Sequence, residues 1–299
     1  MVGEWTAVIS TILYSFSYLL LYAAQRRGET CDNGVMPILY LGSVFLLVSA
    51  ALHAAWVKAP PVLMWPQLGF ILLSGFCGTF LGRVTFFASM FRLGATRSTV
   101  IKSLSPVVTI VTAVTILREP LDTGETIGTV LMLCGVGLLL LERRKRDTRA
   151  VFRTSVMEGL AFGLAASVLE GVGHAWRKVG MYGGHPIWAA AFDLTVAALA
   201  YSGYLLVQGT LREHIRFYGS VRSLYVWTAA ATSAAAVLAF YTAVSTVPVS
   251  VVSAIVGIQP VLVALFSSLL FRNLEDRTWL TFVYTPLVGL GVWMVVHGW

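Results

Sequence analysis

Five ionisable residues stand inside stretches of sequence that are otherwise apolar: Arg83, Lys102, Glu170, His174 and Asp193. An ionisable group near the centre of a bilayer costs at least about 2.5 to 3.5 kcal/mol on insertion scales, so by default it faces a cavity or a partner. Glu170 and His174 are four residues apart and share one helix face. A carboxylate in a low dielectric takes a proton more readily than in water, as a proton-coupled carrier requires, and a histidine one turn away can relay it. Arg83 and Lys102 offer cations to an anionic substrate. Arg83 precedes Arg92 by nine residues, which at 1.5 Å per residue sets it roughly 13 Å below the helix end, too deep for easy snorkelling. Lys102 lies five residues beyond Arg97 and could still reach the interface. The plainer reading is static: Glu170 or Asp193 neutralises Arg83 or Lys102 and locks two helices together. The readings are compatible, because a salt bridge broken by substrate or proton is itself a gate.

The elements that must hold these groups are membrane helices. Hydrophobic residues make up 57% of the 299 positions and charged residues 12%, against about 25% charged in a soluble domain. Stretches of about 20 apolar residues follow one another with short breaks. They predict ten transmembrane helices over 5–25, 35–57, 66–91, 97–117, 125–142, 155–177, 186–208, 222–245, 248–271 and 279–298. The runs lack the alternation of a membrane barrel. Segment 5–25 is long and has neither a basic n-region nor a cleavage site, so it is read as a retained helix. Odd-numbered connections carry or adjoin Arg26, Arg27, Arg92, Arg97, the six basic residues of 143–153, Arg212, Arg216, Arg222, Arg272 and Arg277. Even-numbered ones have only Lys58, Arg118, Arg177 and Lys178. The positive-inside rule then places the odd loops in the cytoplasm and both termini outside.

An offset of 154 residues aligns the two halves of the chain. It brings Phe86-Phe87 onto Phe240-Tyr241, Ile101 onto Ile255, Pro106-Val107 onto Pro260-Val261, Arg118 onto Arg272, and Gly135-x-Gly137 onto Gly289-x-Gly291. Two five-helix units follow, 1–142 and 155–299, joined by a basic loop at 143–154. An odd helix count per unit inverts the second copy, which is the inverted-repeat plan of secondary transporters. The charges break the symmetry: Arg83, Lys102 and Glu170 have Val237, Val256 and Phe16 as counterparts. Before the matched prolines stand Ser103, Ser105 and Gln259, polar groups at membrane depth beside carbonyls that each proline frees. A hinge or a binding surface is expected there. Tyr14, Tyr18 and Tyr22 recur every four residues along the first helix, as a ligand-facing stripe or a packing seam. Gly75, Gly78, Gly82, Gly159 and Gly163 suit close helix approach, and His53 reads as interfacial.

The ten helices, the paired repeats, the prolines of helices 4 and 9 and the Gly-x-Gly of helices 5 and 10 resemble the drug/metabolite transporter superfamily, in particular its EamA-like branch. The resemblance implies a basket of helices around a central cavity and export of amino acids or other small metabolites. Glu119-Pro120 matches the acidic residue often found after helix 4, whereas its repeat counterpart is Asn273-Leu274. By the same resemblance Trp176, Phe86, Phe87, Phe240 and Tyr241 line the basket. The expected substrate-binding set is therefore Arg83, Lys102, Tyr14, Tyr18, Phe86, Ser105, Trp176, Tyr241 and Gln259, with Glu170, His174 and Asp193 for proton coupling or gating.

Catalytic readings find little support. There is no H-E-x-x-H, G-x-S-x-G, G-K-[ST] or dinucleotide fingerprint, so no catalytic residue, metal or cofactor is expected. Cys31, Cys77 and Cys134 have no metal-binding spacing. The net charge of +7 centres on the 142–153 segment and marks orientation rather than nucleic acid. The expected partners are a small-molecule substrate and the lipid bilayer, with a homodimer left open. The main expectation is a secondary active transporter in the cytoplasmic (inner) membrane, proton-coupled or exchanging, that exports a small polar, anionic or amino-acid-like metabolite. The alternatives are an antiporter or flippase for phosphorylated, nucleotide-linked or lipid-linked metabolites and, from another class, a non-transporting scaffold or a membrane enzyme.

Overall fold

A computed structural model of the chain describes residues 2–57, 65–112, 114–115, 123–124, 126–128, 130–132, 134–135, 138, 150–181, 185–270 and 281–297. Among the described residues there are helices and connections but no strand. The helices are α1 (Val2–Arg26), α2 (Val35–Val57), α3 (Trp65–Leu73), α4 (Gly82–Leu93), α5 (Ala95–Lys102), α6 (Ser105–Thr112), α7 (Ala150–Gly180), α8 (Pro186–Val207), α9 (Leu211–Ser220), α10 (Leu224–Thr246), α11 (Val249–Val256), α12 (Gln259–Leu270) and α13 (Thr281–His297). A π-helical segment, Ser74–Leu81, joins α3 to α4.

Seven helical stretches are long and apolar enough to cross a membrane: Gly3–Arg26, Val35–Trp56, Pro66–Leu93, Ser155–Gly180, Pro186–Val207, Leu224–Thr246 and Val249–Leu270. They stand where the sequence predicts helices 1, 2, 3, 6, 7, 8 and 9. Predicted helices 4, 5 and 10 run into residues outside the described set, as do Arg118, Glu119, Pro120, Gly137, most of the 143–154 loop and 271–280. The described residues of 123–138 are helical. The multi-pass, all-helical membrane class therefore stands on these elements.

The offset of 154 reappears in the backbone. Helix 4 breaks between α5 and α6, and helix 9 between α11 and α12, just before the matched prolines. Leu104 N donates to Ile101 O at 3.1 Å, and Ile258 N to Ile255 O at 3.1 Å. Ser103 N donates to Thr99 O and Gly257 N to Ser253 O, both at 2.9 Å. One proline removes a donor from the ladder in each copy, and each helix turns in the same way to re-satisfy its carbonyls. The entry to α5 differs: Gly94 has φ +93°, a conformation that favours glycine, where the second copy has Pro248.

Packing carries the same two-fold relation. The most extensive contacts are α1 on α10 and α4 on α7, which exchange places under the repeat, followed by α2 on α8. Small residues make the approach possible. A Cβ on Gly173 would stand 2.7 Å from the Cα of Gly78, and one on Gly171 2.7 Å from the carbonyl of Ser105. Val44, Val48, Leu52 and Trp56 of α2 are exposed, an outward face suited to lipid.

One element departs from expectation. The connection after helix 7 contains α9, whose Leu211, His214, Phe217 and Tyr218 share the inward face while Arg212, Glu213 and Arg216 point out. Asp32 anchors it. Its carboxylate accepts the Gly34 and Met36 amides at 2.9 and 2.8 Å, capping α2, and also takes the hydroxyls of Tyr201 at 2.8 Å and of Tyr218. Burial and the Asp32 charge push the Tyr218 hydroxyl above its ordinary value, and the neighbouring Cys31 thiol up to about 11.

Candidate functional site

Lys102 is the last residue of α5, where the helix stops at the Ser103-Leu104 break. It does not snorkel. Only 4% of it is exposed, and its Nζ lies 3.0 Å from Glu170 Oε2 of α7. The ammonium also donates to the Tyr18 hydroxyl at 2.6 Å and sits 4.6 Å from the Tyr18 ring centre and 4.5 Å from that of Phe86. Tyr14 stacks on Tyr18 at 5.7 Å, so two members of the tyrosine stripe join this cluster. The expected pairing of a second-half carboxylate with a first-half cation is thus present as Lys102 with Glu170.

Asp193 pairs differently. Its partner is Arg177, with Nε 3.6 Å from Oδ1, and the hydroxyls of Ser74 and Thr79 donate to its two oxygens. Arg177 also donates to Thr79 Oγ1 at 2.6 Å and lies 5.5 and 5.8 Å from the ring centres of Phe240 and Tyr241. The π-helical segment explains the supply of hydroxyls. Its wider turn carries both Ser74 and Thr79 toward α8, while Gly75 lets the backbones close, since a Cβ there would stand 2.7 Å from Asp193 O.

The alternative pairing of Arg83 with Glu170 or Asp193 is not made. Arg83 is buried, and its Nη1 donates to Ser233 Oγ of α10 at 2.9 Å. Among the described residues it forms no ion pair with a carboxylate. Thr79 and Ser233 are related by the 154-residue offset, so one hydroxyl position in each repeat receives an arginine. The matched aromatic pairs are likewise divided, with Phe86 over Lys102 and Phe240-Tyr241 over Arg177.

His174 is buried one turn from Glu170, with Nδ1 3.0 Å from Ser253 Oγ of α11 and its ring 4.7 Å from Phe240. Ser253 donates to Thr109 at 3.4 Å, and Thr109 to the carbonyls of Ser105 and Gly171 at 3.0 Å each. Ser105 is therefore tied to this network through its backbone. Gln259 opens α12 and is buried with its side chain against the Tyr18 hydroxyl, its Nε2 without a hydrogen bond of normal geometry. The Tyr241 hydroxyl is buried near Asp193, also without a hydrogen bond of normal geometry. Trp176 does not join the cluster. It is half-buried, and at 100° per residue it lies about 120° around α7 from the stripe of Glu170, His174 and Arg177.

Sequence reasoning missed Arg177, Ser74, Thr79, Ser233 and Ser253. Arg177 was assigned to a helix end, yet it follows Glu170 by seven residues and His174 by three, the spacing of one helix face. His53 does lie at a helix end, its ring 4.1 Å from that of His185, which caps α8.

These features define a multi-pass membrane protein with a buried charged cluster between two broken helices, the arrangement in which membrane transporters place their sites. The chain belongs to the EamA-like transporter family, whose sequence model matches it twice, over residues 1–141 and 157–297. That placement agrees with the resemblance to the drug/metabolite transporter superfamily. A protein of known crystal structure is similar in fold, with a TM-score of 0.62 over 96% of this chain and 97% of that one at 15% identity. No curated protein sequence matches the chain.

Proposed function

We propose that this protein is a secondary active transporter of ten transmembrane helices, two inverted five-helix repeats joined by the 143–154 loop, that moves a small polar metabolite bearing an anionic group. Export or exchange across the cytoplasmic membrane, linked to protons, fits the family and the site. The observation that carries the reading is the Lys102–Glu170 pair. It joins the two halves at a helix break, at 3.0 Å, and is buried among aromatic rings. Protonation of Glu170 or arrival of an anion at Lys102 breaks the link between halves, which is what alternating access needs of a gate. Arg83, Tyr14, Tyr18, Phe86, Ser105, Tyr241 and Gln259 serve substrate, and His174 serves the proton. Asp193 is already held by three side chains, so Glu170 is the better coupling group. The odd connections face the cytoplasm in this reading. The clamp of Asp32 on α9 and the 3.1 Å pair of Arg92 with Glu158 lie on that one side.

A second reading, an antiporter of phosphorylated metabolites, draws on Arg83, a guanidinium tied to one hydroxyl, since that group suits phosphate. Purified protein in liposomes tests both. Substrate-dependent counterflow supports a carrier, and the solute that drives it separates the readings. If Arg83→Ala and Glu170→Gln leave transport and its pH dependence intact, the site assignment is wrong.

A further inference from the structure

Charge does not close over the buried cluster. Arg83, Lys102 and Arg177 bring three cations and Glu170 and Asp193 two carboxylates, and among the described residues no other ion pair reaches them. The excess is a single positive charge, which hydroxyls and aromatic faces hold in the resting site: Ser233 on Arg83, Tyr18 and Phe86 on Lys102, and Thr79, Phe240 and Tyr241 on Arg177.

We infer that the site takes a monoanion together with a proton, the anion on Arg83 and Lys102 and the proton on Glu170. The transport consequence rests on the carrier reading above; the binding equilibrium does not. An anion at Lys102 Nζ meets the Glu170 carboxylate 3.0 Å away. Protonating Glu170 removes that repulsion while the Tyr18 hydroxyl and the Tyr18 and Phe86 rings keep the ammonium in place. One proton and one monoanion leave the buried charge as it was. A dianion with one proton, or a cation, changes it. The buried Gln259 side chain lies against the Tyr18 hydroxyl with its Nε2 short of a hydrogen bond of normal geometry, and it is a further donor for the same anion.

Asp193 cannot act in this way, because Arg177, Ser74 and Thr79 already hold it. Tyr18 of α1, Lys102 of α5 and Arg177 of α7 interact with Glu170. Through them Tyr14 of α1, Arg83 of α4, Asp193 of α8, Tyr241 of α10 and His174 of α7 belong to the same electrostatic cluster, and Cys77 is the titratable group of the π-helical segment packed on α7. The described parts of α3, α6, α11 and α12 contribute none. By linkage, monoanion affinity rises as pH falls, and anion binding takes up a proton. Proton and anion then travel in the same direction, so export runs on the metabolite's own gradient.

Benzoate, isophthalate and benzylammonium share one ring and differ in charge, and their binding to the purified protein tests the inference. Benzoate binds more tightly at about pH 5.5 than at about pH 8, by roughly tenfold or more, and above the other two probes. Wild-type protein takes up one proton per benzoate, read from the buffer dependence of the binding heat. Glu170→Gln binds benzoate equally well at both pH values, and Arg83→Gln loses it with the melting transition retained. Proton release, no proton change, no benzoate binding, a preference for isophthalate or benzylammonium, or pH dependence that survives Glu170→Gln overturns the inference. The proton-uptake measurement needs no variant, so it decides the matter even if Glu170→Gln does not fold. Counterflow in liposomes without these linkages leaves the carrier and removes the monoanion. Linked binding of benzoate and proton without counterflow does the reverse.

Discussion

Two buried ion pairs among the described residues use the same ingredients to different ends. Asp193 is met by Arg177, Ser74 and Thr79, and Arg177 also reaches the Thr79 hydroxyl, so each group has several partners. Glu170 has Lys102, which leans on a tyrosine hydroxyl and two aromatic faces. Protonating a carboxylate that three donors hold weakens several charge-assisted bonds together. A carboxylate held by one ammonium can exchange that partner for a proton at much smaller cost. The difference separates a lock from a gate.

Removing the lock has the largest expected effect. Asp193→Ala strands Arg177 in the interior and lowers stability by about 3 to 5 kcal/mol, seen in denaturant melts of the purified protein; a loss below about 1 kcal/mol erases the contrast. Glu170→Gln keeps an acceptor for Lys102 and costs less, about 1.5 to 3 kcal/mol. If it costs as much as Asp193→Ala, the two pairs are both structural. Gly173→Ala pushes α7 off Gly78 between the two pairs, for about 1 to 3 kcal/mol of overpacking, and lowers transport further than melting alone explains. A transport rate equal to wild type would separate the crossing from the gate.

Tyr18→Phe removes one hydrogen bond to Lys102, about 1 kcal/mol, and raises KM for an anionic substrate with little change in kcat.

The smallest effect is a control far from both pairs. Burial and the adjacent His53 ring hold the His185 imidazole below its ordinary value. Its folded form resists protonation, so its share of stability is whole above about pH 6.5 and declines as the pH falls toward the lowered value. His185→Gln flattens that small acid-side loss, and Glu170→Gln does not.

Much of this contrast was legible in the sequence and one half of it was not. An ionisable side chain in an apolar run is conspicuous, so Lys102, Glu170, His174 and Asp193 stood out, and the four-residue spacing put Glu170 and His174 on one face. The repeat offset exposed the broken helices, because proline removes a backbone donor wherever it falls. Partner choice was hidden. Nothing in the spacing says that the π-helical segment turns Ser74 and Thr79 together toward Asp193, since that register is set by tertiary packing at Gly75 and Gly78. Arg177 was misread because a basic residue near a helix end usually snorkels, whereas here Asp193 draws it inward. Trp176 is placed differently from the others: aromatic identity suggests a lining residue, and helix geometry sets it off the face that Glu170, His174 and Arg177 share.

Counterflow in liposomes as a function of pH, compared between Glu170→Gln and Asp193→Asn, tests the gate most directly. The account predicts that Glu170→Gln loses the pH dependence, while whatever Asp193→Asn protein folds retains the wild-type pH profile at reduced amplitude. A flat profile in Asp193→Asn beside a wild-type profile in Glu170→Gln would contradict it.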